Sequence, residues 1–239
     1  MEIAHDFSPT GDSDPVKGRL DQLEQQLALY QQALGHDLPN QMVALQGLAR
    51  ILEQEPGPDA GDLVTRLAVL ARRTDENMRT LAKLGRLCRH AGTGERLDLA
   101  QLAREAATEA KVLFSGQPLE YHLQEDMPVV VASRALLYQV LLQLLRNAVQ
   151  AAGERTVAVE IGGRRLETGG VEFWVRDTGR GMTGAQLNQA RATLAGEAGA
   201  GAGLGLVLVR LAVAGWRGAV HVSSEPGQGT VVKILARTL

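Results

Sequence analysis

The sequence predicts an α+β protein in which an N-terminal helical hairpin precedes a C-terminal α/β sandwich domain. Apolar residues recur at helical spacing along residues 16–55 and again along residues 62–89. Two glycines, Gly92 and Gly94, then interrupt the pattern. Beyond this break, short alternating runs typical of strands are interspersed with helical stretches, which indicates a mixed sandwich domain.

These patterns divide the 239 residues into four segments. Residues 1–15 are polar and lack periodicity, which predicts a flexible tail. Residues 16–91 form the predicted hairpin, residues 92–96 the linker and residues 97–239 the sandwich domain. Because a hairpin of this size has too little core to stand alone, we expect two copies to pair into a four-helix bundle.

Within the second domain the pattern predicts three helices and six strands. The helices are expected at residues 97–115, 133–152 and 204–214. The strands are expected at residues 118–123, 129–131, 156–161, 171–176, 219–223 and 230–236. Residues 162–170, which are rich in glycine, are interpreted as the connection of a hairpin.

Composition excludes several functions. A net charge of −2 and a pI near 6.2 give no electrostatic case for nucleic acid or an anionic membrane. The single cysteine, Cys88, excludes an internal disulfide and a zinc site built from cysteines. The sequence shows no membrane segment and no secretory signal, so a cytoplasmic location is expected.

Residues 175–182 combine a strand with a glycine-rich turn. The strand ends at Asp177, and Gly179 and Gly181 follow it. Glycines let a flat ligand approach the main chain closely, and a carboxylate there accepts hydrogen bonds from an exocyclic amine such as that of adenine. The alternative is an ordinary surface turn between two strands.

Two further segments could complete such a site. Asn147 lies on a helix among apolar neighbours, where its amide either makes an ordinary buried hydrogen bond or offers its oxygen to magnesium. Residues 199–206 form a glycine-rich run that leads into a helix. Free N–H groups at a helix N-terminus suit a phosphate, although such a run could also be a flexible linker.

His36 is the candidate nucleophile of the hairpin. It lies two positions from both Leu34 and Leu38, which places it away from the apolar seam and in solvent. A neutral imidazole can attack a phosphoryl group, and the neighbouring Asp37 can accept its proton. Pro39 should bend the helix at this point, although an exposed histidine of no special role remains the simpler interpretation.

The three C-terminal segments, in this order, resemble the N, G1 and G2 boxes of the ATPase superfamily that includes sensor histidine kinases, gyrase B, MutL and the ninety-kilodalton heat-shock chaperone. With residues 36–40 on a hairpin ahead of them, the chain is most similar to sensor histidine kinases. The resemblance covers nearly the whole chain from residue 16. It implies an ATP-binding sandwich domain, ATP and magnesium as cofactors, a homodimer formed by the hairpin, and a response-regulator receiver domain as partner.

The resemblance also implies residue roles. His36 would be the phosphoacceptor, Asp37 its acid/base partner, and Asn40 would position water during dephosphorylation of a partner. Asn147 would hold magnesium and Asp177 would bind the adenine amine. The remaining positions that would line the nucleotide are Gln150, Gly179, Gly181, Met182, Gly201, Gly203, Leu204 and Gly205.

The chain departs from the family pattern at three places. Gln143 stands where the N box usually has asparagine, Pro39 comes three rather than five residues after the histidine, and no phenylalanine-containing F box lies between Met182 and Gly199. These departures leave two alternatives to an active kinase. One is a phosphotransfer or phosphatase module with a weak ATP site, and the other is a non-catalytic coiled-coil interaction protein.

Overall fold

The computed structural model describes eight stretches of the chain. They are residues 38–54, 60–87, 94–114, 119–153, 155–167, 169–197, 204–216 and 218–236. The helices in these stretches are α1 (Leu38–Gln54), α2 (Ala60–Leu87), α3 (Leu99–Leu113), α4 (Arg134–Ala152), α5 (Gly184–Ala195) and α6 (Leu204–Gly215). The strands are β1 (Glu95–Asp98), β2 (Leu119–Leu123), β3 (Val129–Ala132), β4 (Val157–Arg165), β5 (Val171–Asp177), β6 (Ala219–Glu225) and β7 (Gly229–Ala236).

The C-terminal domain is a mixed α/β sandwich, as the sequence predicts. Its five-stranded sheet has the order β2-β4-β5-β7-β6, with β2 parallel to β4 and every other pair antiparallel. Strands β1 and β3 form a separate antiparallel pair. Helices α3, α4 and α6 contact the large sheet, α4 also contacts both α3 and α6, and the core lies between the helices and the sheet.

The period of the apolar residues explains both layers. In β5 the inward residues Val171, Phe173 and Val175 are buried, and the residues between them are more exposed, as expected for a strand with one face in the core. In α4 the fully buried residues recur at helical spacing instead. They are Leu137, Val140, Leu141 and Leu145.

The hairpin expected at residues 162–170 is wrong in its extent, because β4 continues through Gly162 and Gly163 to Arg165. Both glycines serve packing rather than a turn. A Cβ on Gly162 would lie 2.5 Å from Cζ2 of Trp174, and one on Gly163 would lie 3.3 Å from Cβ of Phe173. Glycine at these positions lets neighbouring side chains lie directly on the strand.

The linker and the first helix of the domain also differ from expectation. Glu95 and Arg96, assigned to the linker, belong to β1 and pair with β3. The helix expected from residue 97 begins at Leu99, because Asp98 ends β1 and caps α3 by accepting the backbone N–H of Gln101 at 3.0 Å. A strand therefore begins at residue 95, where the sequence predicts the end of the linker.

The N-terminal part of the structure contains α1 and α2, which contact each other, and α2 also contacts α6. Residues 1–37 and 55–59 lie outside the described residues, so the dimeric four-helix bundle and the bend expected at Pro39 stay predictions. No helix in the described stretches has both the length and the apolar character needed to span a membrane.

Candidate functional site

Asp177 ends β5, between β4 and β7, and the residue as a whole is buried, with 8% of its surface exposed. Its Oδ1 accepts the backbone N–H of Gly179 at 2.8 Å and that of Thr230 at 3.3 Å. Its Oδ2 receives no hydrogen bond from any residue that the structure describes. Burial raises the pKa of Asp177, and the two N–H donors oppose that shift by stabilising the charged form. One oxygen is thus fixed, and the other is left as an acceptor.

The loop after Asp177 is held from two sides. The N–H of Arg180 donates to the carbonyl of Ala151, at the end of α4, at 3.0 Å. The carbonyl of Arg180 accepts the N–H of Gly227, in the β6–β7 turn, at 2.7 Å. The loop therefore lies between the end of a helix and a strand turn, with its backbone fixed by both.

Glycine is required at two positions of this loop. A Cβ on Gly179 would lie 2.6 Å from Cβ of Ala151 and 2.8 Å from Oδ1 of Asp177. Gly181 has φ of +66°, and a Cβ there would lie 1.9 Å from the carbonyl oxygen of Glu225. The sequence predicts glycine here for the approach of a ligand, and the structure adds close packing of the protein's own backbone as a reason.

A row of polar side chains crosses the end of the sheet on its inner face. Asp177 pairs with Thr230, and Thr230 pairs with Ser224, so the three side chains lie side by side on β5, β7 and β6. The hydroxyl oxygens of Ser224 and Thr230 are 3.0 Å apart. Neither Ser224 nor Thr230 is predicted from the sequence as a site residue, although a serine and a threonine that flank residues 225–229 are a visible signal.

Asn147 lies on α4, and its Oδ1 accepts a hydrogen bond from Nε2 of Gln143 at 2.9 Å. Its neighbours Leu144, Leu145 and Ala148 are buried, as the sequence predicts, and the expected partner for its amide is present. In the sequence, Gln143 is visible only as a departure from a family pattern. In the structure it is the residue that holds Asn147.

Helix α4 connects the two glycine segments. A Cβ on Gly205, in the first turn of α6, would lie 2.3 Å from Nε2 of Gln143, so the Gln143 side chain rests on Gly205. Ala151, eight residues further along α4, rests on Gly179. Eight residues of α-helix span about 12 Å, and Asn147 lies midway on the same face. Gln150 is exposed on the adjoining surface of the helix.

The structure describes some, but not all, of the remaining residues that are predicted to line the nucleotide. The side chain of Leu204 is buried at 3% exposure, so its backbone rather than its side chain is available to a ligand. Met182 is partly buried and its N–H donates to Oγ of Ser224 at 2.9 Å. Gly201 and Gly203 lie outside the described residues.

The candidate residues of the hairpin cannot be compared with the site. His36 and Asp37 lie outside the described residues, and of Asn40 the structure describes only the helical backbone in α1. Their predicted roles are therefore untested by the geometry. The described residues contain no cluster of three or more His, Cys, Asp or Glu side chains able to hold a metal ion.

Helix α5 occupies the region in which the sequence analysis found no F box. It begins with a capping box, in which Thr183 accepts the N–H of Gln186 and the Gln186 side chain accepts the N–H of Thr183. This Thr-x-x-Gln pattern is a sequence signal that could have revealed the helix. The helix ends at Gly196, whose φ is +91°.

Comparison with known proteins agrees with this geometry. Residues 132–238 match the family model of histidine kinase-, DNA gyrase B- and HSP90-like ATPases. Sensor histidine kinase ZraS of Klebsiella oxytoca is 30% identical over 220 residues, which cover 87% of this chain and 46% of that protein. Sensor protein CreC of Escherichia coli (strain K12) is 29% identical over 174 residues, which cover 67% of this chain and 34% of CreC. The chain spans less than half the length of the curated relatives it matches.

Solved structures share the fold. The Acinetobacter baumannii histidine kinase AdeS has a TM-score of 0.54 at 17% identity, over 84% of this chain and 97% of that chain. Full-length ShkA, crystallised in complex with AMPPNP, has a TM-score of 0.52 at 22% identity, over 94% of this chain and 46% of that chain. The C-terminal part of this chain is a catalytic ATPase domain of the sensor histidine kinase type, within the family of histidine kinase-, gyrase B- and HSP90-like ATPases.

Proposed function

We propose that this protein is an ATP-dependent protein histidine kinase of a two-component system. It transfers the γ-phosphoryl group of Mg-ATP to His36 and then to an aspartate of a response-regulator receiver domain. The observation that carries this proposal is the Oδ2 of Asp177, which accepts no hydrogen bond from a described residue and precedes a loop that contains Gly179 and Gly181. An acceptor without a partner in such a place suits the amine of an adenine ring.

The rest of the nucleotide follows from the position of α4. With the base at Asp177 and Gly179, the phosphates extend along the Gln143–Ala151 face towards Gly205 and the N-terminus of α6. The N–H groups of the first turn and the positive dipole end of that helix favour phosphate. The two glycine segments are thus contacted by one helix face about 12 Å long, and a single extended ligand can reach both.

Magnesium, if bound, would be held by Asn147. Its Oδ1 already accepts one hydrogen bond from Gln143, and an amide oxygen keeps a second lone pair for a hard cation. The ion would neutralise charge on the phosphates, which is what phosphoryl transfer chiefly requires. Gln150, which is exposed on α4 one turn beyond Asn147, is proposed to face the phosphates.

The transfer itself requires a nucleophile on the hairpin. A ring nitrogen of His36 would form a bond to the γ-phosphorus as the bond from that phosphorus to the bridging oxygen breaks, and ADP leaves. The proton of the imidazole would pass to Asp37. Asn40 would position water when the phosphoryl group is later removed from the receiver partner.

A homodimer through the hairpin is supported by apolar side chains that α1 and α2 leave exposed. They are Met42, Val43, Ile51, Val64, Val69 and Met78. Exposed apolar side chains along two adjacent helices are a surface that a second copy would cover. The cytoplasmic location expected from the sequence stays a prediction.

A second candidate is a phosphotransfer or phosphatase module with a weak ATP site. It is favoured by Gln143, which occupies the usual asparagine position and takes up Oδ1 of Asn147 in a hydrogen bond. It is disfavoured by the intact surroundings of Asp177.

Incubation with Mg-ATP labelled at the γ-phosphate distinguishes the candidates. The kinase predicts a label on the protein that is stable to alkali, labile to acid, and absent from His36→Ala. The matched control is His122→Ala, which should label as the wild type does, since His122 is an exposed histidine of β2 at the edge of the large sheet. ATP binding without labelling would support the second candidate, and no ATP binding at all would refute both.

A further inference from the structure

Ser224 makes three hydrogen bonds that tie together the elements around Asp177. It lies on β6, with its side chain on the inner face of the sheet. Its Oγ is 2.9 Å from the backbone nitrogen of Met182, 2.8 Å from the carbonyl oxygen of Gly229 and 3.0 Å from Oγ1 of Thr230. No role for this serine follows from the function proposed above.

The directions of these bonds can be worked out from the chemistry of the partners. The Met182 N–H can only donate, so Ser224 accepts there. The Gly229 carbonyl can only accept, and two oxygens 2.8 Å apart repel unless a proton lies between them. Ser224 has a single proton, which must therefore point at Gly229. The remaining bond is then donated by the hydroxyl of Thr230 to Ser224.

This assignment fixes the character of the Thr230 hydroxyl. Its proton is directed at Ser224, so only its lone pairs remain for another group. Thr230 pairs with Asp177 across the strands, and its N–H bonds Oδ1 of that residue. The corner of the site therefore carries two acceptors on paired residues of β5 and β7, the Oδ2 of Asp177 and the Oγ1 of Thr230. It contains no hydroxyl proton that is free to turn toward a ligand.

We propose that Ser224 is a positioning residue that sets the base selectivity of the nucleotide site. By holding the Thr230 hydroxyl as an acceptor, it makes the corner favour a purine that carries an amine and disfavour one that carries an oxo group. By accepting the Met182 N–H, it also holds the end of the glycine loop against β6. This inference rests on the proposed nucleotide-binding function.

The test compares the affinities of the full chain for ATP and for inosine triphosphate, which has an oxo group in place of the amine. In Ser224→Ala the Thr230 hydroxyl is free to rotate and to donate to that oxo group. The ratio of the inosine triphosphate Kd to the ATP Kd should fall by about three- to tenfold, the value of one neutral hydrogen bond. The ratio is measured because a general loosening of the site would weaken the binding of both nucleotides equally and would leave the ratio of their Kd values unchanged.

The control variant is Ser223→Ala, which removes a hydroxyl from the adjacent, exposed residue on the other face of β6 and should keep the wild-type ratio. Ser224→Thr keeps the hydroxyl and should therefore show the wild-type ratio of the two Kd values. If Ser224→Ala does not fold, Ser224→Cys is used in the same comparison. Cysteine has nearly the same shape as serine but forms poor hydrogen bonds.

Amide exchange at Met182 gives a second readout. Exchange at this N–H should be at least tenfold faster in Ser224→Ala than in Ser223→Ala. If folded Ser224→Ala has the same ratio of inosine triphosphate Kd to ATP Kd as the wild type, the role of Ser224 in selectivity is overturned. A wild-type protein that binds neither nucleotide would instead refute the proposed function itself.

Discussion

Asp177→Asn tests the site with little change of shape. Oδ1 of Asp177 accepts the N–H groups of Gly179 and Thr230, so the amide oxygen of an asparagine should take that place. The amide nitrogen then occupies the position of Oδ2. An acceptor that faces the ligand is thereby converted into a donor, and the backbone around it is kept.

The expected loss of ATP affinity is large. A hydrogen bond to a charged group contributes about 1.5–3 kcal/mol, and two donors that face each other add an unsatisfied group. At about 1.4 kcal/mol for each factor of ten, the Kd for ATP should rise by roughly 10- to 100-fold. Isothermal titration of the full chain measures it, with Glu120→Gln, an exposed carboxylate of β2, as control.

The same substitution should not weaken the fold at neutral pH. Because burial raises the pKa of Asp177, the fold favours the protonated carboxyl, and the wild type loses stability as the pH rises from the ordinary carboxylate range through the raised pKa. The asparagine of the variant does not ionise, so the stability of the variant does not fall in this way as the pH rises. Its midpoint of thermal unfolding should equal or exceed that of the wild type at pH 7, with the difference closing in acid. A folded Asp177→Asn protein that binds ATP within about twofold of the wild type would refute the assigned role of Oδ2.

Three further predictions concern neighbouring parts of the domain. Burial, with the hydrogen bond to Glu109, raises the pKa of Tyr138 to about 12, so the wild type should lose stability between pH 10 and about 12, and Tyr138→Phe should flatten that slope in alkaline thermal melts. Gly181→Ala, which meets a backbone oxygen at positive φ, should lower the free energy of unfolding by more than about 2 kcal/mol in urea titrations, whereas Gly184→Ala, with open space around it, should not. Gly205→Ala should displace the Gln143 amide and weaken Mg-ATP binding about tenfold, and an unchanged Kd would contradict the contact.

The local pattern was sufficient for most elements of the domain. Helix α4 and strand β5 lie where apolar spacing of 3.6 and 2 residues predicted them, because each has one strongly apolar face. Helix α5 was missed because Ala190 and Thr193 are its only buried residues, so it has little apolar periodicity. Strand β1 was missed because it is four residues long with one buried residue, and pairing with β3 rather than its own pattern makes it a strand.

The site was predicted unevenly for a similar reason. Asp177, Gly179 and Gly181 are adjacent in the chain, and their chemistry is visible in a short motif. Gln143 was visible only as an unusual residue, and its contact with Gly205 depends on the packing of α4 against α6. Residues 198–203 and 1–37 lie outside the described residues, so the glycine flap and His36 stay predictions.

The sequence by itself determined most of the helices and strands in the sandwich domain and the placement of an acidic residue before a glycine-rich loop. Both depend on residues close together in the chain, whose spacing fixes which faces are apolar. The tertiary structure alone decided what Asp177 touches, because Thr230 lies 53 residues away and reaches Oδ1 only through the pairing of β5 with β7. Closing the sheet in that register occupies one carboxylate oxygen and leaves the other as an acceptor, and the proposed chemistry of the site depends on that difference.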